Sequence, residues 1–164
     1  MAIVAGDLKM YLTGGAANSV PAASLGGVTS SVQFTDNTLD KLFASIGPAE
    51  ALAGATKYRA LTFKNTSALT AYSATIHISQ ETTSADTTVE IAYDSTGTQD
   101  VANEDTPPTG LSFSKPLSLA TAIALGDIAS NGTARIWFKR IVTAAAVAAL
   151  ADTGKWMITV GTTP

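Results

Sequence analysis

YSATIHISQ, residues 72–80, is the stretch that decides the fold. Tyr72, Ala74, Ile76 and Ile78 alternate with Ser73, Thr75, His77 and Ser79. A period of two marks an extended chain with one face in a core and the other outside it, because successive side chains of a strand point to opposite faces. Working outward, TTVEIAYD (87–94) repeats the pattern with Val89, Ile91 and Tyr93 inward, and YRALTFKN (58–65) places Leu61 and Phe63 on one face. ARIWFKRIV (134–142) carries β-branched and aromatic residues on both faces, as a central strand does. KWMITV (155–160) aligns Trp156, Ile158 and Val160. Several short strands without helical patterns between them predict an all-β fold, an antiparallel β-sandwich of jelly-roll or immunoglobulin-like type.

Turn chemistry separates these runs. NTSA (65–68) and ETTSAD (81–86) fit short hairpin connections, and SNGT (130–133) contains the Asn-Gly dipeptide of tight turns. Other stretches do not read as core strands. Residues 13–31 are glycine, alanine and serine with one proline. Residues 36–56 suggest a turn of helix around Leu39 to Phe43 that Pro48 interrupts. Residues 94–110, DSTGTQDVANEDTPPTG, read as a long exposed acidic loop. TAAAVAALADTG (143–154) fits either a short helix ended by Gly154 or an irregular link.

Composition narrows the function classes. The 164 residues suffice for one domain with a real core. Only 14% are charged, against about 25% usually. The net charge of −3, with no Lys/Arg cluster, argues against binding a phosphate backbone. With no cysteine, disulfides, thiolate zinc sites and cysteine nucleophiles are excluded, and the fold must hold by packing. The first residues, MAIVAGDLKMYL, lack the basic start of a secretory signal, and no apolar run approaches the ~18 residues of a membrane helix.

No residue set announces a reaction. His77 is the single histidine, on the Ser/Thr face of its strand, where an exposed strand histidine is expected; no G-x-S-x-G motif accompanies it. Glu81, Glu90, Asp94, Asp100, Glu104 and Asp105 cluster in sequence without calcium-loop spacing, so they read as a solvated loop. The pairs Gly14-Gly15 and Gly26-Gly27 form neither dinucleotide nor Walker signatures. Lys57, Arg59, Lys64, Arg135, Lys139 and Arg140 fit edge protection and cross-strand pairing. The expectation is a non-enzymatic protein with no catalytic, cofactor or metal residues.

DLKMYLTGGAANSVPAASLGG (7–27), LFASIGPAEALAGATKYRALTFKNTSALTAYSATIHIS (42–79) with its YR-x-x-x-x-KN strand, and TARIWFKRIV (133–142) together resemble a group of small virion structural proteins of tailed bacteriophages. The resemblance covers most of the chain and rests on short phrases. The link TAAAVAALADTG is more alanine-rich than the group's pattern. What the resemblance implies is an auxiliary capsid protein of decoration or cement type, assembled in the bacterial cytoplasm. Its partners would be the major capsid protein and further copies of itself as a homo-oligomer in the virion, with no nucleic acid and no membrane. A neck or tail component is one alternative. A carbohydrate-binding sandwich using Trp137 and Trp156 as sugar platforms is another, and a small hydrolase dependent on His77 a third.

That reading gives residues 1–31 a role. A neutral glycine-rich ribbon buries little by itself, yet laid on another protein it can pair through its backbone. Residues 1–31 are thus expected as an N-terminal arm ahead of a sandwich domain of residues 32–164, with Asp7, Leu8, Met10, Tyr11, Leu12 and Leu25 as its contact residues. The other reading of 1–31 is a first strand of the domain's own sheet followed by a long surface loop.

Overall fold

The computed structural model describes residues 3–35, 42–149 and 152–161. Among the described residues eight strands form two antiparallel sheets. They are β1 (Leu8–Thr13), β2 (Thr29–Gln33), β3 (Ala55–Asn65), β4 (Ala71–Gln80), β5 (Thr87–Asp94), β6 (Ile123–Ile128), β7 (Thr133–Val142) and β8 (Lys155–Gly161). The larger sheet runs β2-β1-β3-β7-β5 and the smaller β6-β4-β8. The one α-helix among the described residues is α1 (Pro48–Ala53).

Alternation builds the core between the sheets. Leu61 and Phe63 of β3, Ile136 and Phe138 of β7 and Ile91 of β5 face Ile76 and Ile78 of β4, with Trp156, Ile158 and Val160 of β8 packed against them. Trp156 closes one flank, its ring 4.6 Å from Phe138 and 6.2 Å from Phe34 between centroids. Aromatic pairs at such distances add attraction beyond their buried area. The strand read as central is central: β7 lies between β3 and β5, paired along its whole length with β3 and from Arg135 to Val142 with β5. Its second apolar face supplies Trp137, fully buried in a smaller cluster with Tyr58, Ala60 and Ala92.

Several expectations need correction. The turns at 65–68, 81–86 and 130–133 join no hairpins. From β3 to β8 each successive strand lies in the opposite sheet, so these turns are arches over the core. Asn65 organises the first. Its buried amide donates to the carbonyls of Leu69, Ile128 and Ala129, and its Oδ1 accepts from the Ser67 N–H and hydroxyl. In β4 the phase shifts at Ser73, which has φ 48° and donates its N–H to Asp127. Pairing with both neighbours breaks register there, and Ala71 rather than Tyr72 joins the core. Pro48 does not end a helix but begins one, at a position where its missing N–H costs nothing. Of the turn expected around Leu39 to Phe43, residues 39–41 lie outside the described ones; Leu42 is buried in the core. Residues 143–149 form an irregular link, not a helix.

Candidate functional site

The six residues expected in an arm are seated in the domain. Asp7 sits in a single 3-10 turn, Ala5–Asp7, where its carboxylate accepts the Val4 N–H and its carbonyl accepts the N–H and hydroxyl of Thr66. Leu8, Met10 and Tyr11 pair with Asn65, Phe63 and Thr62 of β3, and Leu12 is buried in the main core. Leu25 accepts the Val101 N–H on its carbonyl. Residues 3–31 therefore complete the larger sheet and cover it. The physical reason is that β3 is longer than β1. Beyond the β1 pairing, the Ala60 N–H bonds to the Ser24 carbonyl and the Tyr58 N–H to the Glu104 carbonyl. The ribbon and the 94–110 loop together satisfy backbone groups that would otherwise lie unpaired.

Small residues make this cover possible. Gly26 lies over Trp137 with φ +91°; a Cβ there would stand 2.7 Å from the indole Cζ2 and would overlap the Gln99 carbonyl oxygen. The ribbon and the acidic loop are stitched to each other by Gly27 N–H to Gln99 O and Val101 N–H to Leu25 O. Val101, Leu111 and Phe113 pack on the Trp137 cluster, so the loop is a lid on the sheet, although most of its polar side chains remain exposed.

A polar cleft of about 180 Å³ has Thr29, Thr62, Asp94, Thr96, Thr133 and Arg135 among its walls. Arg135 and Asp94 are cross-strand neighbours on β7 and β5, both buried. Arg135 donates to the Thr62 hydroxyl, the Gly27 carbonyl and the Thr29 hydroxyl, while its Nη1 has no partner among the described residues. Burial pulls its pKa below the ordinary guanidinium value, and the Asp94 charge opposes that. Burial would raise the Asp94 carboxyl, but bonds from the Thr96 hydroxyl and the N–H groups of Gln99, Gly97 and Thr96 outweigh it and hold the group below its usual value. The arrangement is a polar pin that fixes the loop to the sheet.

A second charged group lies toward the other end of β3. The Lys57 ammonium meets Glu50 at 3.0 Å and Glu104 and Asp105 at 2.9 Å each. Buried Arg59 pairs with the second oxygen of Glu104. Hydrogen bonds to Glu104, Asp105 and Glu50 raise Lys57 above the ordinary lysine value, against a desolvation cost. Glu50 is lowered by Lys57 and by the Gly47 N–H; Glu104 is lowered by Lys57 and Arg59 in spite of burial. Helix α1, β3 and the loop thus meet on one cation.

The other singled-out residues are placed as follows. His77 is buried at 8% exposure, not exposed; the chain at Pro116 bonds to the neighbouring Ile78, and the 3-10 turn Leu119–Thr121 packs against β4. Lys139 pairs with Glu90 across the sheet at 2.9 Å, and Lys115 with Glu81 at 2.8 Å. Arg140 donates to the Ala44 carbonyl and lies over Phe43. Among the described residues no group of three His, Asp or Glu side chains could hold a metal, and no helix is long and apolar enough to cross a membrane. Sequence reasoning missed Asn65, Arg59 and Arg135 as buried organisers. A charged or amide residue inside a strand otherwise rich in apolar residues was the available signal. Comparison with protein-family models, with curated proteins and with solved structures finds no match.

Proposed function

We propose that this protein is a non-enzymatic virion structural protein, a capsid decoration or cement protein that stabilises a phage head through contacts with the major capsid protein and with neighbouring copies. The observation that carries the reading is where the charge goes. Lys57, Arg59, Arg135 and Lys139 are turned onto partners within the chain, while Leu52, Val147, Leu119 and Met157 stand exposed. A protein that lies against neighbours desolvates little at such a surface, since exposed charge is what makes contact costly. Many weak contacts on a symmetric shell add up through avidity, so a single contact need not be strong. The resemblance to phage virion proteins supports the same reading. Against the carbohydrate alternative stand the full burial of Trp137 and the packing of the half-buried Trp156 between Phe34 and Phe138.

The test is the copy number per particle, from quantitative mass spectrometry of purified virions against the major capsid protein. One copy per capsid subunit, or per few, is the expected result. About a dozen copies per particle would move the protein to the neck or tail, and absence from virions would refute the structural role.

A further inference from the structure

At the end of the sandwich where β4 passes to β5, two short segments form one neutral surface. The carbonyls of Leu52 and Ala51 in α1 accept the N–H groups of Ala145 and Ala146, at 3.1 and 3.0 Å. Leu52 and Val147 are 74% and 76% exposed, the highest values among the large exposed hydrophobic residues. The residues around them, in PAEALA (48–53) and AAAVAA (144–149), are alanine and proline apart from Glu50, whose carboxylate is drawn back onto Lys57 and the Gly47 N–H. Alanine loses no rotamer freedom on being covered, and its short side chain lets a partner approach closely.

Two carboxylates lie at the rim of this surface beside the β4–β5 turn. Asp86 accepts the Val147 N–H, and Asp152 accepts the Ser84 N–H and the Thr83 hydroxyl from the same connecting turn. Neither forms an ion pair among the described residues. We propose that this end is the docking face, and that its occupant is a folded protein surface with an apolar centre and Lys/Arg side chains at its edge. Charge decides among occupants. A second copy would bring two pairs of carboxylates together, and an anionic lipid surface would meet them with like charge. A basic rim on the partner complements Asp86 and Asp152 while Leu52 and Val147 serve as anchors. The proposal deepens the virion reading and rests on it: the occupant is the outer surface of the shell.

Particles freed of this protein are sedimented with the full chain as wild type, Leu52→Asp, Val147→Asp and Asp152→Asn, at low and high salt. Both anchors are largely exposed, so their variants keep the fold, which circular dichroism checks. The expected result is wild-type binding that weakens with salt, about tenfold or greater loss for either anchor variant, and a two- to fivefold loss for Asp152→Asn. Wild-type binding with undiminished Leu52→Asp binding overturns the docking face but not the virion role. No wild-type binding refutes both. Self-association, or binding to phosphatidylglycerol vesicles, that Leu52→Asp abolishes assigns the face to another occupant and overturns the proposal.

Discussion

Gly26→Ala tests whether the ribbon over Trp137 is a fixed part of the fold. Two costs combine. The backbone at φ +91° is strained for any residue with a Cβ, at about 1–2 kcal/mol. The new methyl would also stand 2.7 Å from Trp137 and 2.8 Å from the Asp100 Cα, and would overlap the Gln99 carbonyl that accepts the Gly27 N–H. Overpacking of this kind costs about 1–3 kcal/mol. The sum, about 2–5 kcal/mol, corresponds to a fall in Tm of roughly 4–20 °C for a domain of this size. Gly97→Ala is the internal control: φ is +65°, and nothing lies within 4 Å of the added Cβ. It bears the strain alone, about 1–2 kcal/mol, a fall of roughly 2–8 °C. Thermal unfolding of both variants is followed by circular dichroism. Tryptophan emission is followed in a Trp156→Phe background, which leaves Trp137 as the single indole. The Gly26→Ala protein should melt lower than Gly97→Ala and show red-shifted Trp137 emission. A Gly26→Ala loss no larger than that of Gly97→Ala, with emission unchanged, would refute the close approach.

Three other outcomes are expected. Asn65→Asp should destabilise more than Asn65→Ala in urea unfolding, because a buried carboxylate would face the Leu69, Ile128 and Ala129 carbonyls, whereas alanine merely leaves them unpaired, at about 1–3 kcal/mol for each group that water cannot reach. Acid should destabilise the protein: Glu50, Glu104 and Asp94 have folded-state pKa values below their unfolded ones, so the stability they contribute is complete above the unfolded carboxyl range, near pH 4–5, and is lost as pH falls through the folded values. Glu104→Gln should lower stability at pH 7 and flatten that acid limb in unfolding measured from pH 7 to 3; an unchanged slope would remove Glu104 from the account.

Most strands were legible because their signal is local and repeated; β2 and β6, short and with little alternation, were not. β5 and β8 kept the faces that alternation assigned them, and β7 with apolar residues on both faces proved central. Pairing was less legible. NTSA and SNGT carry turn chemistry that serves a hairpin and an arch equally, and only the core decides between them. His77 was misplaced because a strand's outer face reads as exposed until another segment is known to lie on it. Pro48 is ambiguous in the sequence because proline ends one helix as readily as it starts the next. The segment 3–31 shows the limit most clearly. Its small neutral residues fit any flat surface, and in this structure they lie on the chain's own third strand and Trp137. Arg59 and Arg135 were legible as strand residues but not as buried ones, since their partners come from loops far away in sequence.

The passage of each strand from β3 to β8 into the opposite sheet has a kinetic consequence. No two consecutive strands in that run can form a hairpin, so within it no short piece of chain is a native seed; the local antiparallel pair is β1 with β2, ahead of the run. The pairs that must form are distant: β3 finds β7 across about seventy residues, and β4 finds β8 across a similar span. Both layers must therefore condense together, each serving as the template against which the other sorts its strands. Such a chain folds slowly, on the millisecond-to-second scale of sandwich proteins.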